Sequence, residues 1–276
     1  MLKFSLRNEE YIRPPGTLTE LLSHPDGNRS KTMEVALFFE HRYAFFFWLK
    51  WTRQLIEDNL LQPPALVSLD WHQDLCYPDD HEDLKALNLN SNKEIALYTW
   101  ANLHPNNDGQ IMSAAYLNRI GNIYVHCRQG TFKSDWEDEY ITDIYGNIHT
   151  VKKFKTFEGL EKCLLNSDEQ HVFFDIDLDF FSVNNPFCGV GKNFTYLKDA
   201  KIKEMLSFSR PFIQWVFNSL CGLTIAMEPE HTGGLTTANK YLDLLNEIFF
   251  EPSLFTNYGG DWNRGTQWRH LRCKQT

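Results

Sequence analysis

Short apolar runs that end abruptly in carboxylates and histidines constrain this chain more than any other feature. Met33–Phe39 (MEVALFF) runs into Glu40-His41, Ala65–Leu69 (ALVSL) into Asp70-Trp71-His72-Gln73-Asp74, and His171–Phe174 (HVFF) into Asp175-Ile176-Asp177-Leu178-Asp179. Strands that are apolar throughout must be covered on both faces, which points to a parallel sheet between helices. Glu94–Tyr98 (EIALY), Gly121–His126 (GNIYVH) and Leu223–Met227 (LTIAM) read as further strands of the series. His41–Leu60 places Phe45, Trp48, Leu49 and Leu55 at helical spacing before Pro63 and Pro64, which predicts a helix ended by the prolines. The expected fold is α/β, a three-layer parallel sheet with helices on both faces.

Three segments depart from the alternation. Tyr11–Asn28 is turn-rich, with Thr17 and Glu20 spaced as a capping box that could open one short helix. Ser134–Lys155 is acidic, aromatic and β-prone around Tyr145-Gly146-Asn147, which predicts a hairpin excursion. Thr195–Leu220 is helical in composition and contains Pro211, so two helices or one kinked helix are expected. No repeat or low-complexity linker divides the chain, and residues 1–276 are read as a single domain.

Composition narrows the function classes. With 42% hydrophobic and 23% charged residues the chain is of ordinary globular type. A net charge of −9 disfavours sequence-independent nucleic-acid binding and suits a cationic substrate or a bound cation. The basic cluster Arg264, Arg269, Arg272 and Lys274 reads as a solvated tail. The longest apolar stretch is broken by Glu40, His41, Arg42 and Lys50, so no membrane span is expected. The N-terminal MLKFSLRNEEYIRPPG has no secretory pattern, which gives a cytoplasmic expectation. Six cysteines without a C-x-x-C pair read as buried or idle thiols.

Ligands bind beyond the carboxyl ends of parallel strands, where all three acidic motifs fall. Crowded carboxylates repel, and burying each one is costly unless a cation or proton neutralises it. Between Gln170 and Lys192 no Lys or Arg can do so. In extended chain Asp175, Asp177 and Asp179 share one face, as do Asp70, His72 and Asp74. A set of imidazoles and carboxylates without thiolates suits Mn²⁺, Fe²⁺, Co²⁺ or Zn²⁺.

Asp70-x-His72-x-Asp74 resembles the D-A-H-x-D motif of the ureohydrolases (arginase, agmatinase, formiminoglutamase), and FFDIDLDFF resembles their S-x-D-x-D-x-x-D-P segment. His41 resembles the histidine of their G-G-D-H motif. Phe39 and Glu40 replace the glycines, Trp71 replaces the alanine, and the last aspartate comes one residue early. The resemblance runs from about Met33 to Leu245 and is nearer the atypical branch of peptide arginases, which convert arginine side chains of ribosomally made precursor peptides to ornithine. It implies the arginase/deacetylase-like fold and two Mn²⁺ ions, with Fe²⁺, Co²⁺ or Zn²⁺ as substitutes. His41, Asp70, Asp74 and Asp175 would hold one ion, and Asp70, His72, Asp175 and Asp177 the other. Asp74 would pass a proton to the departing amine, and Asp179 would orient a ligand.

A guanidinium needs a carboxylate fork. Glu228, just after LTIAM, is the position the resemblance favours, with Glu230 in reserve. His104 is the candidate proton shuttle; His81 and His231 are weaker candidates. The expected activity is hydrolysis of the guanidino group of arginine in a precursor peptide, giving ornithine and urea. A two-metal phosphoesterase and a non-catalytic, metal-dependent peptide-binding module are the competing readings.

Overall fold

The computed structural model describes residues 9–27, 31–78, 81–104, 106–128, 137–183, 195–256 and 265–272. In chain order the elements are β1 (Leu18–Ser23), β2 (Thr32–Phe38), α1 (Ala44–Glu57), β3 (Ala65–Asp70), α2 (His81–Ala86), α3 (Asn92–Ala101), α4 (Gln110–Tyr116) and β4 (Ile123–Cys127). Next come β5 (Glu139–Thr142), β6 (Ile148–Phe154), α5 (Phe157–Leu165), β7 (Val172–Asp177), β8 (Ser182–Val183), β9 (Thr195–Tyr196), α6 (Asp199–Met205) and α7 (Pro211–Ser219). The chain continues through β10 (Leu220–Ala226), α8 (Pro229–Thr232), α9 (Leu235–Phe249), β11 (Phe250–Glu251), β12 (Gln267–Trp268) and α10 (Arg269–Arg272).

An eight-stranded sheet in the order β1-β2-β10-β7-β3-β4-β6-β5 organises these elements. The inner strands from β2 to β6 are parallel, and β1 and β5 close the two edges antiparallel. Strands β3, β4 and β7 are buried at every residue, as their predominantly apolar sequences require. One face packs on α1, α3 and α4 through Phe45, Phe46, Trp48, Ile95, Ile111 and Phe173. The other packs on α5, α7 and α9 through Leu160, Phe174, Phe212, Val216 and Leu245. The fold is therefore the expected three-layer α/β arrangement. Close approach of α1 to the sheet depends on Gly222, where a Cβ would stand 2.3 Å from the Trp51 ring.

Three local expectations are corrected. Glu94–Tyr98 lies inside helix α3 rather than in a strand, because Ser91 caps the helix by accepting from the Glu94 amide at 3.3 Å. Residues 18–23, downstream of Thr17, form strand β1 instead of a helix: antiparallel pairing with β2 satisfies their backbone and outweighs the local capping signal. The hairpin is present as β5 and β6, but β6 pairs parallel with β4, so it widens the main sheet rather than standing apart. The described part of Thr195–Leu220 contains two helices, α6 and α7, with Pro211 opening the second. Among the described residues no helix is long and apolar enough to cross a membrane.

Candidate metal centre

The carboxyl ends of β2, β3, β7 and β10 lie side by side in the middle of the sheet, and the acidic motifs meet there. His41 opens the turn between β2 and α1 and is fully buried. Its Nδ1 faces three carboxylate oxygens, Asp74 Oδ2 at 2.8 Å, Asp177 Oδ2 at 3.2 Å and Asp70 Oδ2 at 3.4 Å. One ring nitrogen offers at most one proton, so it cannot serve all three. His41 Nδ1, Asp70 Oδ2, Asp177 Oδ2 and Asp179 Oδ2 are all buried without an aligned hydrogen bond. Buried polar atoms are normally partnered, so this concentration of orphans marks a place where something else belongs.

A second group surrounds His72. Its Nδ1 lies 2.9 Å from Asp179 Oδ2 and 3.9 Å from Asp70 Oδ1. Potential ligand atoms of His41, Asp70 and Asp177 lie within 4.8 Å of one another, as do those of Asp70, His72 and Asp74 and those of Asp177, Asp179 and Glu228. Asp70 and Asp177 thus each belong to two groups. Among the described residues no Lys or Arg forms an ion pair with any of these acids.

Local backbone explains the convergence. Asp177 ends β7, and its Oδ1 accepts from the Asp179 amide at 2.9 Å, folding Asp179 back toward the sheet edge in a 3₁₀ turn. Asp179 Oδ1 then accepts from the Trp71 amide at 3.0 Å, tying β7 to the loop after β3. In that loop Asp70 Oδ1 accepts from the His72 amide at 2.6 Å, and Asp74 adopts a left-handed backbone (φ 52°) that turns its carboxylate inward. Gln110 of α4 holds it there, with Nε2 donating to Asp74 Oδ2 at 2.6 Å.

Asp175 sits elsewhere than expected. It lies one pleat deeper in β7, where its Oδ2 contacts His41 Nε2 at 2.8 Å and accepts from Ser68 Oγ at 2.9 Å, and its Oδ1 accepts from Thr224 Oγ1 at 2.6 Å. Its oxygens bond on the far side of His41, and the converging ligand atoms from this strand end are those of Asp177 and Asp179. The reason is the reach of the strand: two residues advance about 6.6 Å, which separates Asp175 from groups gathered beyond the edge.

Glu228 arrives because backbone pairing of β2 with β10 continues past both strands, with the Met227 and Glu228 amides donating to the Phe38 and Phe39 carbonyls at 2.8 and 3.1 Å. Its Oε1 accepts from the His41 amide at 3.1 Å. Glu230 is exposed and does not line the cleft. His231 packs edge-on against His72, with ring centroids 5.2 Å apart. His104 lies at the rim, its Nδ1 2.6 Å from Asp108 Oδ1. His81 packs against Tyr116.

The electrostatics follow from crowding. Burial raises the Asp70 carboxyl well above the carboxylate range, helped by Asp74, Asp179 and Asp177. Asp177 is raised by burial, then by Asp179 and Glu228. Glu228 is pushed up to about 8, chiefly by burial. His41 and His72 shift upward despite burial, which favours their neutral forms: Asp175, Asp74 and Asp177 outweigh it at His41, and Asp179 brings His72 to about 9. The carboxyls hold a proton more tightly than usual through burial and mutual repulsion, and the imidazoles through the carboxylates around them. A divalent cation would meet the same need, and the donor set of carboxylate oxygens and imidazole nitrogens fits one.

An open cleft of about 300 Å³ leads to the cluster past His72, Asp74, Cys76, Asp108, Glu228 and His231. Its described lining contains no Lys or Arg. Gln110, which fixes Asp74, was not singled out in the sequence, since a glutamine opening a helix carries no signal of its own.

No family model matches the chain, and no curated protein does. Among solved structures, the chain is similar to the agmatine ureohydrolase of Thermoplasma volcanium, at 16% identity over 76% of this chain and 60% of that one, with a TM-score of 0.38. It is also similar to the proclavaminate amidino hydrolase from Streptomyces clavuligerus, at 14% identity over 77% of this chain and 62% of that one, with a TM-score of 0.39. The chain therefore spans about 60% of the length of these structures. Likeness at this level carries no residue roles to this chain.

Proposed function

We propose that the chain is a divalent-cation-dependent hydrolase that cleaves the guanidino group of arginine held in a peptide, giving ornithine and urea. The observation that carries this reading is the set of orphaned donors shared between His41 and His72 at the floor of an acidic cleft. The motif resemblance to ureohydrolases supplies the reaction class. In this reading His41, Asp70, Asp74 and Asp177 hold one cation, and His72, Asp70, Asp177 and Asp179 hold the other; Mn²⁺ is the ion of choice. Bound there, the pair supplies activation of water at neutral pH.

The protein's own groups do the rest. Glu228, anchored on the His41 amide, presents Oε2 for the planar cation of the substrate. Asp74 lines the cleft within contact of His41 and Gln110, and passes a proton to the departing amine. His104 exchanges protons with solvent from the rim. A free amino acid would bring a carboxylate into a cleft whose described lining has no Lys or Arg, whereas an arginine within a precursor peptide brings none, and this favours the peptide.

The test is incubation of the Mn²⁺-loaded protein with an arginine-containing precursor peptide and, separately, with free L-arginine, followed by mass spectrometry and urea assay. Ornithine in place of arginine in the peptide, with little urea from the free amino acid, is the expected result. Rapid turnover of free arginine with an unchanged peptide would overturn the substrate, and no urea from either would overturn the reaction.

A further inference from the structure

Cys76, His104 and Asp108 form a cluster of potential ligands of which the proposed hydrolysis uses only His104. Their ligand atoms lie within 4.8 Å of one another, and each residue is half-buried. They come from two loops, one after β3 and one after α3, joined by the Cys76 amide, which donates to the Asp108 carbonyl at 2.9 Å. Within the second loop Asn107 takes a left-handed backbone (φ 57°), and its amide bonds back to the His104 carbonyl at 3.4 Å. That turn sets His104 beside Asp108. Gly109 leaves room for the imidazole, since a Cβ there would stand 3.0 Å from His104 Cβ.

His104 Nδ1 and Asp108 Oδ1 approach to 2.6 Å, yet both atoms are buried and lack an aligned hydrogen bond. The same signature, close donors aimed at a shared point without bonding one another, marks the His41 cluster. Here, however, a sulfur joins the set. We propose that Cys76, His104 and Asp108 form a separate cation site at the rim of the cleft, selective for a thiophilic divalent ion such as Zn²⁺. A thiolate, an imidazole and a carboxylate make three protein ligands, and the partial exposure of the residues leaves the fourth position to water.

A consequence rests on the hydrolase reading. An ion on His104 removes that ring from proton exchange at the cleft, so excess Zn²⁺ inhibits turnover and Cys76→Ser relieves the inhibition. The binding claim stands without it, and the two are tested apart.

The binding test uses Cd²⁺, whose bond to a thiolate gives an ultraviolet charge-transfer band, titrated into the full chain already loaded with Mn²⁺. The band should appear with one equivalent of Cd²⁺ and vanish in Cys76→Ser. In Asp108→Asn and His104→Gln the thiolate remains, and the Cd²⁺ dissociation constant should rise about tenfold or more. Retained Mn²⁺ and an unchanged circular dichroism spectrum report that each variant is folded. A band that survives in Cys76→Ser would overturn the site. So would a band lost in Cys76→Ser but bound equally well in Asp108→Asn and His104→Gln, since that describes a lone thiol. Cd²⁺ binding as expected, with urea release unaffected by Zn²⁺, would keep the site and remove the inhibitory role.

Discussion

Asp143 and Asp177 are both buried carboxylates, 5% and 1% exposed, and their surroundings drive them in opposite directions. At the β5–β6 turn Asp143 accepts from the Tyr145 amide, the Asn147 amide and Asn147 Nδ2, each at 2.8 Å, and lies 3.2 Å from His149 Nε2. Burial pushes its carboxyl up, but these donors outweigh it and hold the group below the ordinary range. Asp177 accepts one amide and leaves Oδ2 without an aligned partner among other acids, so it rises. Two histidines repeat the contrast. Among the described residues His126 hydrogen-bonds to the Phe154 carbonyl, and burial brings it down to about 4, whereas carboxylates lift the fully buried His41. Burial alone thus fixes neither charge; what matters is whether the fold itself supplies the partner. The hairpin supplies it, and the described groups at the carboxyl edge of the sheet do not.

Removing a shared ligand should break the contrast most severely. Asp70→Asn should lose bound Mn²⁺ and lower urea release by on the order of 10³ or more, measured by metal analysis and steady-state kinetics. Next comes pH. The folded value of His126 lies below its ordinary 6.5, so its contribution to stability is complete above 6.5 and is lost as pH falls toward 4. Denaturant unfolding should show a loss on the order of 3 kcal/mol over that window, absent in His126→Gln. At the satisfied end, Asp143→Ala should cost about 2–3 kcal/mol in the same assay by stranding the amides it accepts from, with Mn²⁺ binding unchanged.

Asp175 sharpens the comparison from inside the cluster. Because it orients His41 through Nε2, Asp175→Asn should weaken Mn²⁺ affinity by about 10–100-fold in calorimetric titration while both ions still bind. The smallest effect carries an opposite sign. In chelator, Asp177→Asn should stabilise the protein by about 1–2 kcal/mol, since it relieves the crowding of a buried carboxyl against Asp179 and Glu228. A loss of stability there would place Asp177 with Asp143 and dissolve the distinction.

Much of this was legible in the sequence, for identifiable reasons. Apolar runs such as ALVSL and HVFF have no other home than the interior of a covered parallel sheet, and their acidic ends fall at the edge where ligands bind. Alternation put Asp175, Asp177 and Asp179 on one face but could not say which of them reach the site. That depends on β7 ending at Asp177 and on the turn that brings Asp179 back, both set by bonds to residues distant in sequence. Glu228 was preferred over Glu230 by position, and the structure brings only Glu228 to His41. Strand β1 was hidden because its partner lies across a turn, and α3 because Ser91 went unread as a cap.

The central claim is that the orphaned donors around His41 and His72 exist to hold cations. Anomalous diffraction at the manganese edge from crystals grown with Mn²⁺ tests it directly. The account predicts one peak among His41, Asp70, Asp74 and Asp177 and another among His72, Asp70, Asp177 and Asp179, with Asp70 and Asp177 shared. A cluster without anomalous density in crystals that bind Mn²⁺ elsewhere would contradict it.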